Sequence, residues 1–359
     1  MINGLGLGDV YDATIERILT QDGDKSRLGM EALMWVSHAE RPLMAHELCH
    51  ALAVELASTD FNADNVPSMS TLVRCCQGLI TVDEGSSTVR LIHFTLKEYL
   101  SAHPNISNGP HSTVAEICLT YLNSKQVNAL SANTSDDLGY FIDHLSWDHP
   151  LLEYCSLYWG VHAKRGLSDH ARSLALDFLV GCGTHVSGLV FWGQQTYDKY
   201  FGYDGAVFWF GGLHCASVFG IVELVAALVE TGCYDINEED YNGHTPLTWA
   251  AEYGHDEMVK MMLELEEIEP DKPDGIIGQT PLSLAAEKGH EDVVKILLGW
   301  DQVNPEKPDN VGRTPLSYAA REGHEGVVKI LLERDVPPIS RITWAKHRSR
   351  MPPARAMRE

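Results

Sequence analysis

Three copies of Thr-Pro-Leu recur in the second half of the chain, at Thr245-Pro246-Leu247, Thr280-Pro281-Leu282 and Thr314-Pro315-Leu316, 35 and 34 residues apart. A fixed period of that length marks a solenoid built from one repeated supersecondary unit. Each triplet is followed by Ala-Ala and then by Gly-His, at Gly254-His255, Gly289-His290 and Gly323-His324. An apolar stretch comes next, ending in Met261-Met262-Leu263, Ile296-Leu297-Leu298 and Ile330-Leu331-Leu332. A degenerate first copy lies upstream, with Gly212 to Ala216 as its first helix, Gly220 in the loop and Val222 to Val229 as its second. The residue types fit a helix pair. Thr caps the first helix, and Pro at its first position has a suitable φ and wastes no N–H. Gly supplies the left-handed turn that ends it. The alanines let neighbouring units approach, and the Val/Ile/Leu stripe packs on the next copy. One pair cannot bury its own apolar face, so the copies must stack.

This pattern resembles the ankyrin repeat. Asp240 and Asp309, with Gly243 and Gly312 after them, match the turn before each helix pair. The position after Pro-Leu, often His in that family, is Thr248, Ser283 or Ser317 here. The repeats are expected over 207–335, as 211–244, 245–279, 280–313 and 314–335. The resemblance implies a protein partner held on the concave face. The turn tips Tyr241, Asn242, Ile276, Ile277, Asn310 and Val311 are candidates for contact. So are the inner-helix ends Glu252, Tyr253, Glu287, Lys288, Arg321 and Glu322. Residues 211–335 carry 9 basic against 25 acidic side chains, which favours a partner with a basic surface.

The rest of the chain has a different texture. Leu28, Leu33, Met34 and Val36 mark a helix over Ser26 to Ser37, and Leu48, Leu52 and Leu56 mark a second over Leu43 to Leu56. Pro67 opens a third through Cys76, which Gly78 ends. The runs Leu79 to Val82 and Thr88 to His93, split by Asp83-Glu84-Gly85-Ser86, read as a hairpin. Three helices and a hairpin, expected over 25–105, make a winged helix.

Met34-Trp35-Val36-Ser37, Pro42-Leu43, Glu47-Leu48 and the run Arg90 to Leu100 resemble the winged helix of NACHT-type signalling NTPases, and among them the fungal NACHT–ankyrin proteins. Gly8 to Leu19 resembles the helical stretch before it, so 1–24 is expected to end a NACHT-associated segment. The resemblance implies that His93 contacts the diphosphate of bound ADP where a nucleotide-binding core is present. The chain has no Gly-x-x-x-x-Gly-Lys-Ser/Thr, the loop that phosphates require. It therefore reads as lacking the NTPase core, with no cofactor expected and His93 held at a strand end by packing or hydrogen bonds.

Residues 106–206 are expected to be a helical connector, with helices over Ser112 to Asn123, from Pro150, and over Ser168 to Val180. Its end is dense in aromatics: Phe191, Trp192, Tyr197, Tyr200, Phe201 and Tyr203, followed by Phe208, Trp209 and Phe210. They suit either a stacking surface for a ligand or a wedge that caps the first repeat. Lys199 is the one basic residue among them, which favours the wedge.

Three further chemistries deserve weighing. His46-Glu47-Leu48-Cys49-His50 fits the zinc-hydrolase pattern, since residues four apart share a helix face. Position 56, where one such family has its third ligand, is Leu56. No metal site is therefore expected, and a zinc hydrolase or a remnant of a nucleotide-gated NTPase remains the alternative. DNA reading by the winged helix is disfavoured, because its third helix offers only Arg74 and groove binding needs several phosphate contacts. The eight cysteines form no Cys-x-x-Cys and read as buried small side chains in a reducing compartment. The formal charge of −23 argues against nucleic acid and anionic membranes as partners. No segment reads as a signal peptide or membrane span, so a cytoplasmic location is expected. From 336 to 359 the chain turns basic and is expected to be a disordered tail. The whole reads as mainly α: a winged helix with a small β-hairpin, a helical connector and an ankyrin solenoid, working as a non-catalytic protein-interaction module of a NACHT-type signalling or defence receptor.

Overall fold

The computed structural model describes residues 6–56, 58–103, 109–130, 148–188, 190 and 209–333. The aromatics between 191 and 208 and the basic tail lie outside the described residues. The chain divides into two compact units, Met1–Val207 and Phe208–Glu359.

In the first unit, α1 (Leu7–Leu19) buries Tyr11, Ile15 and Ile18 at helical spacing. It packs on α2 (Asp24–His38), which buries Leu33, Met34 and Trp35. Gly29 makes the approach possible. A Cβ there would lie 2.8 Å from the Ile18 Cγ2 and 2.8 Å from the Cys75 carbonyl oxygen. Next come α3 (Ala45–Ala51), α4 (Met69–Cys75), β1 (Ile80–Val82), β2 (Val89–Leu91) and α5 (Phe94–Ala102). The strands are antiparallel with Ile80 opposite Leu91 and Val82 opposite Val89. A further, isolated antiparallel rung joins Met44 to Thr88.

That rung corrects the expected helix over Leu43 to Leu56. The Val89 N–H donates to the Leu43 carbonyl at 2.8 Å, and the Ala45 N–H donates to the Ser87 carbonyl at 2.9 Å. The backbone of 43–45 is held by the hairpin, so α3 starts later, and it ends at Ala51. Pro67 is likewise not the first residue of α4. Ser68 caps that helix by accepting the Thr71 N–H. Three helices, a two-stranded hairpin and the bridge at Met44 form a winged helix.

The unit continues with α6 (Pro110–Leu122), α7 (Lys125–Asn128), α8 (Leu152–Arg165) and α9 (Asp169–Val180). Helix α6 is buried nearly all round, from Val114 to Leu122, because α8 and α9 both pack on it and α2 touches it. Tyr154 of α8 sets its ring edge-on to Trp35, centroids 5.7 Å apart.

The second unit is four helix pairs in series: α10 (Gly212–Phe219) and α11 (Val222–Glu230), α12 (Pro246–Glu252) and α13 (Asp256–Leu263), α14 (Pro281–Lys288) and α15 (Glu291–Leu298), α16 (Pro315–Glu322) and α17 (Glu325–Glu333). Thr245, Thr280 and Thr314 are the N-caps, each followed by Pro at the first helical position. The first helices of successive pairs stack on one another, and so do the second helices. A histidine bonds each pair to the one before. His255 Nε2 reaches the Val218 carbonyl at 2.7 Å, His290 Nε2 that of Glu252 at 2.8 Å, and His324 Nε2 that of Glu287 at 2.9 Å. The imidazoles lie over Gly220, Gly254 and Gly289, where a Cβ would come within 2.4–2.6 Å of a ring atom. Those glycines are required twice over, since each also has φ between +67° and +80°. Phe210 is buried, edge-on to Trp249, while Trp209 is exposed. Seven of the eight cysteines are buried; Cys233, at the end of α11, departs from the expectation and is exposed. Among the described residues no helix is long and apolar enough to cross a membrane.

Candidate functional site

The turns of the solenoid are organised by buried carboxylates. Asp240 accepts the N–H groups of Asn242 and His244, both at 2.9 Å, and its other oxygen accepts the Trp249 indole N–H at 2.8 Å. Asp309 accepts the N–H groups of Val311 and Arg313 at 2.9 and 2.8 Å, the Arg313 Nε–H at 2.6 Å and the Tyr318 hydroxyl at 2.6 Å. Burial alone would raise the Asp309 carboxyl, but the Tyr318 and Arg313 hydrogen bonds outweigh it and hold the group below the ordinary aspartate value. Asp274 does the same for the turn between them, accepting the N–H groups of Ile276, Ile277 and Gly278 at 2.8–2.9 Å. The sequence pattern passes over Asp274, because it stands six residues before its capping threonine where Asp240 and Asp309 stand five. The change of period from 35 to 34 was the visible trace of that extra residue.

With its amides turned inward to the carboxylate, each turn exposes its tip. Tyr241 is 43% exposed, Ile276 50% and Val311 71%. The tips follow one another because the turns are joined by backbone bonds. The Tyr241 N–H donates to the Trp209 carbonyl, Gly275 N–H to Asn242 and Asn310 N–H to Ile277, at 2.9–3.1 Å. At Gly243, φ is +75° and a Cβ would sit 2.3 Å from the Gly275 nitrogen, so the close approach of adjacent turns needs glycine. The neighbours Asn242 and Ile277 are half-buried and Asn310 is exposed. The result is one large apolar side chain per turn, held in water along a row.

The candidates at the inner-helix ends are tied to each other across repeats. Lys288 Nζ lies 3.3 Å from a Glu252 carboxylate oxygen. The Arg321 guanidinium bonds to Glu287 and, at 2.7 Å, to Glu322. Glu287 also accepts from the Gln279 amide at 2.7 Å. The Arg321 guanidinium lies over the Tyr318 ring, 5.0 Å from its centroid. Tyr253 is half-buried against Trp249. Much of the acidity at these ends is therefore met within the stack. The exposed acids Asp256, Glu257, Glu291 and Glu325 open the outer helices instead.

In the first unit, His93 is not a strand-end residue. It is the N-cap of α5, where Nδ1 accepts the Thr95 N–H at 3.3 Å and bonds the Thr95 hydroxyl at 2.7 Å. Thr95 in turn bonds the Tyr11 hydroxyl of α1 at 3.0 Å. His93 is exposed, and so are Ile92 and Phe94 on either side of it.

The zinc-hydrolase pattern is built into the fold in another way. Glu47 is buried, takes both terminal nitrogens of Arg41 at 2.8 and 2.7 Å, and accepts the Met44 N–H at 2.7 Å. A carboxylate so engaged cannot act as a water-activating base without breaking three bonds. His50 bonds the His46 carbonyl and stacks on Phe61. Glu47 caps a helix; it does not face a metal.

Two family models match the chain. Ankyrin repeats, in a model of three copies, match residues 210–274 and 265–340. The winged helix domain of GPI inositol-deacylase matches residues 16–110. No curated protein matches the chain. The ankyrin stack is a protein-interaction module, and the winged helix is of a NACHT-associated type.

Proposed function

We propose that the chain is a non-catalytic binding protein of a NACHT-type signalling or defence system, cytoplasmic, whose ankyrin stack captures another protein. The partner would present apolar side chains to the tips Tyr241, Ile276 and Val311, and the excess of acid over base in residues 211–335 favours a basic surface on it. The observation that carries this is the row of large apolar tips. Ile276 and Val311, each two residues after its turn aspartate, and Tyr241, one residue after Asp240, keep such side chains exposed, while the turn amides are taken up by Asp240, Asp274 and Asp309. Large apolar side chains kept in water on successive turns are what a recognition face offers. The match to a NACHT-associated winged helix and the likeness to fungal NACHT–ankyrin proteins support the signalling context. In that context the winged helix would dock on a nucleotide-binding core supplied in trans, with exposed His93 toward the nucleotide.

The test is affinity capture with the full chain and with Y241S/I276S/V311S. The wild type should retain a protein that the variant loses while both melt at the same temperature. Its retention should also weaken as salt rises from about 0.1 to about 0.5 M, as screening shortens the reach of surface charge. An identical set of captured proteins for both chains would overturn the reading.

A further inference from the structure

Glu40, His111 and His162 come from three separate places in the first unit: the segment after α2, the first turn of α6 and the last turn of α8. One donor atom from each lies within 4.8 Å of the others. The two imidazoles come closest, Nδ1 to Nδ1 at 2.8 Å. We propose that these three side chains form a binding site for a divalent transition metal of the zinc class, clipping the end of α2 to α6 and α8.

Two imidazoles and one carboxylate form a donor set that suits zinc and its neighbours. At Zn–N distances of about 2.0–2.1 Å, tetrahedral donors stand roughly 3.3 Å apart, so the two Nδ1 atoms need separate only slightly. Glu40 has the longer way to move. It is half-buried, and its partner Arg165 is 47% exposed, so one carboxylate oxygen can leave the guanidinium while the other stays. The far side of the site is already fixed. His162 is fully buried, and its Nε2 lies 2.9 Å from the Tyr154 hydroxyl, which also accepts the Glu40 N–H at 3.1 Å. A ring nitrogen anchored in this way turns the other nitrogen toward the ion and sets the tautomer, as second partners of metal-bound histidines do. His111 sits at the start of its helix and is half-buried, which leaves a path for the ion and a fourth position for water. This is distinct from His46 and His50, whose intervening Glu47 is locked to Arg41.

The experiment uses the full chain stripped with a chelator, titrated with zinc chloride by calorimetry and with cobalt(II) by visible absorption at neutral pH. One ion per chain is expected, with the visible bands of a low-symmetry cobalt site. His111→Ala, a change at a half-buried helix start, should weaken binding at least about 10-fold and remove those bands. Glu40→Gln should weaken binding in the same direction. His46→Ala should leave both readouts unchanged. Circular dichroism of each variant separates lost ligands from lost folding. Absence of stoichiometric binding, binding indifferent to His111→Ala, or binding lost in His46→Ala would each overturn the assignment.

Discussion

The second unit makes the same bond three times; the first makes each of its bonds once. His255, His290 and His324 repeat one inter-repeat contact, and Asp240, Asp274 and Asp309 repeat one turn. In the first unit, Tyr154 joins α8 to Trp35 and to the Glu40 backbone. A contact present in triplicate can be weakened in one copy and still leave its neighbours in place. A contact made once, between segments more than a hundred residues apart, has no repeated copy beside it. The two units should therefore respond differently to damage of similar size.

The largest effect is expected at Trp35→Ala. Trp35 is fully buried, and its loss opens a cavity where α2 meets the Tyr154 ring. The expected cost is about 3–5 kcal/mol, read as lost amide protection in α2, α6 and α8 by hydrogen exchange. Full protection there would mean that the winged helix and the connector helices do not share one core.

Acid should separate the units next. Burial holds His38, His50, His111, His149, His162 and His185 below the ordinary imidazole value of 6.5. In the stack, burial lowers His214 in the same way. For His185 the folded value is about 4. The unfolded chain thus takes up the proton first, so stability is complete above pH 6.5 and is lost as the pH falls toward 4. That gap is worth roughly 3 kcal/mol at full titration. The turn carboxylate Asp309 behaves differently, because its stabilisation persists until the pH falls below the ordinary aspartate value of 3.8. Hydrogen exchange of the full chain at pH 7 and pH 5 should show the connector helices opening before α14–α17. Equal opening, or the reverse order, would contradict the burial of these imidazoles.

The repeat itself is tested by His290→Ala. The Glu252 carbonyl loses its side-chain donor, at a cost of about 1–3 kcal/mol. The loss should be confined to α12–α15, since His255 and His324 still hold the neighbouring contacts. Cooperative loss of the whole stack in urea would show that the three copies do not act as separable links.

The same contrast decides what could be read in advance. The solenoid was legible because Thr-Pro-Leu, Ala-Ala and Gly-His recur in register, and even the overlooked Asp274 left a trace in the period. The winged helix was legible in outline. The boundary of α3 was not, because the hairpin, a long-range partner, claims the backbone of 43–45. His93 reads as a strand residue by composition, yet it caps a helix, because Thr95 offers its amide and hydroxyl two residues on. The Glu40, His111 and His162 group leaves no local signature at all. Its members are 71 and 51 residues apart; the packing of α8 on α6 brings the histidines together, and the bonds of Glu40 to Tyr154 and Arg165 bring the carboxylate to them. His46-Glu47-x-x-His50 is the converse, a local signature that the fold spends on a helix cap.

The smallest expected effect is the one that best isolates binding from folding. Ile276 and Val311 project from turns whose amides are already satisfied by Asp274 and Asp309, and both are at least half exposed. Ile276→Ser and Val311→Ser should therefore change stability by no more than about 0.5 kcal/mol, measured by urea denaturation. A change that leaves the fold untouched while abolishing capture of a partner assigns these side chains to recognition. A cost of about 2 kcal/mol or more, the size expected for burying such a side chain, would mean instead that the tips are packed, and the row would lose its standing as a binding face.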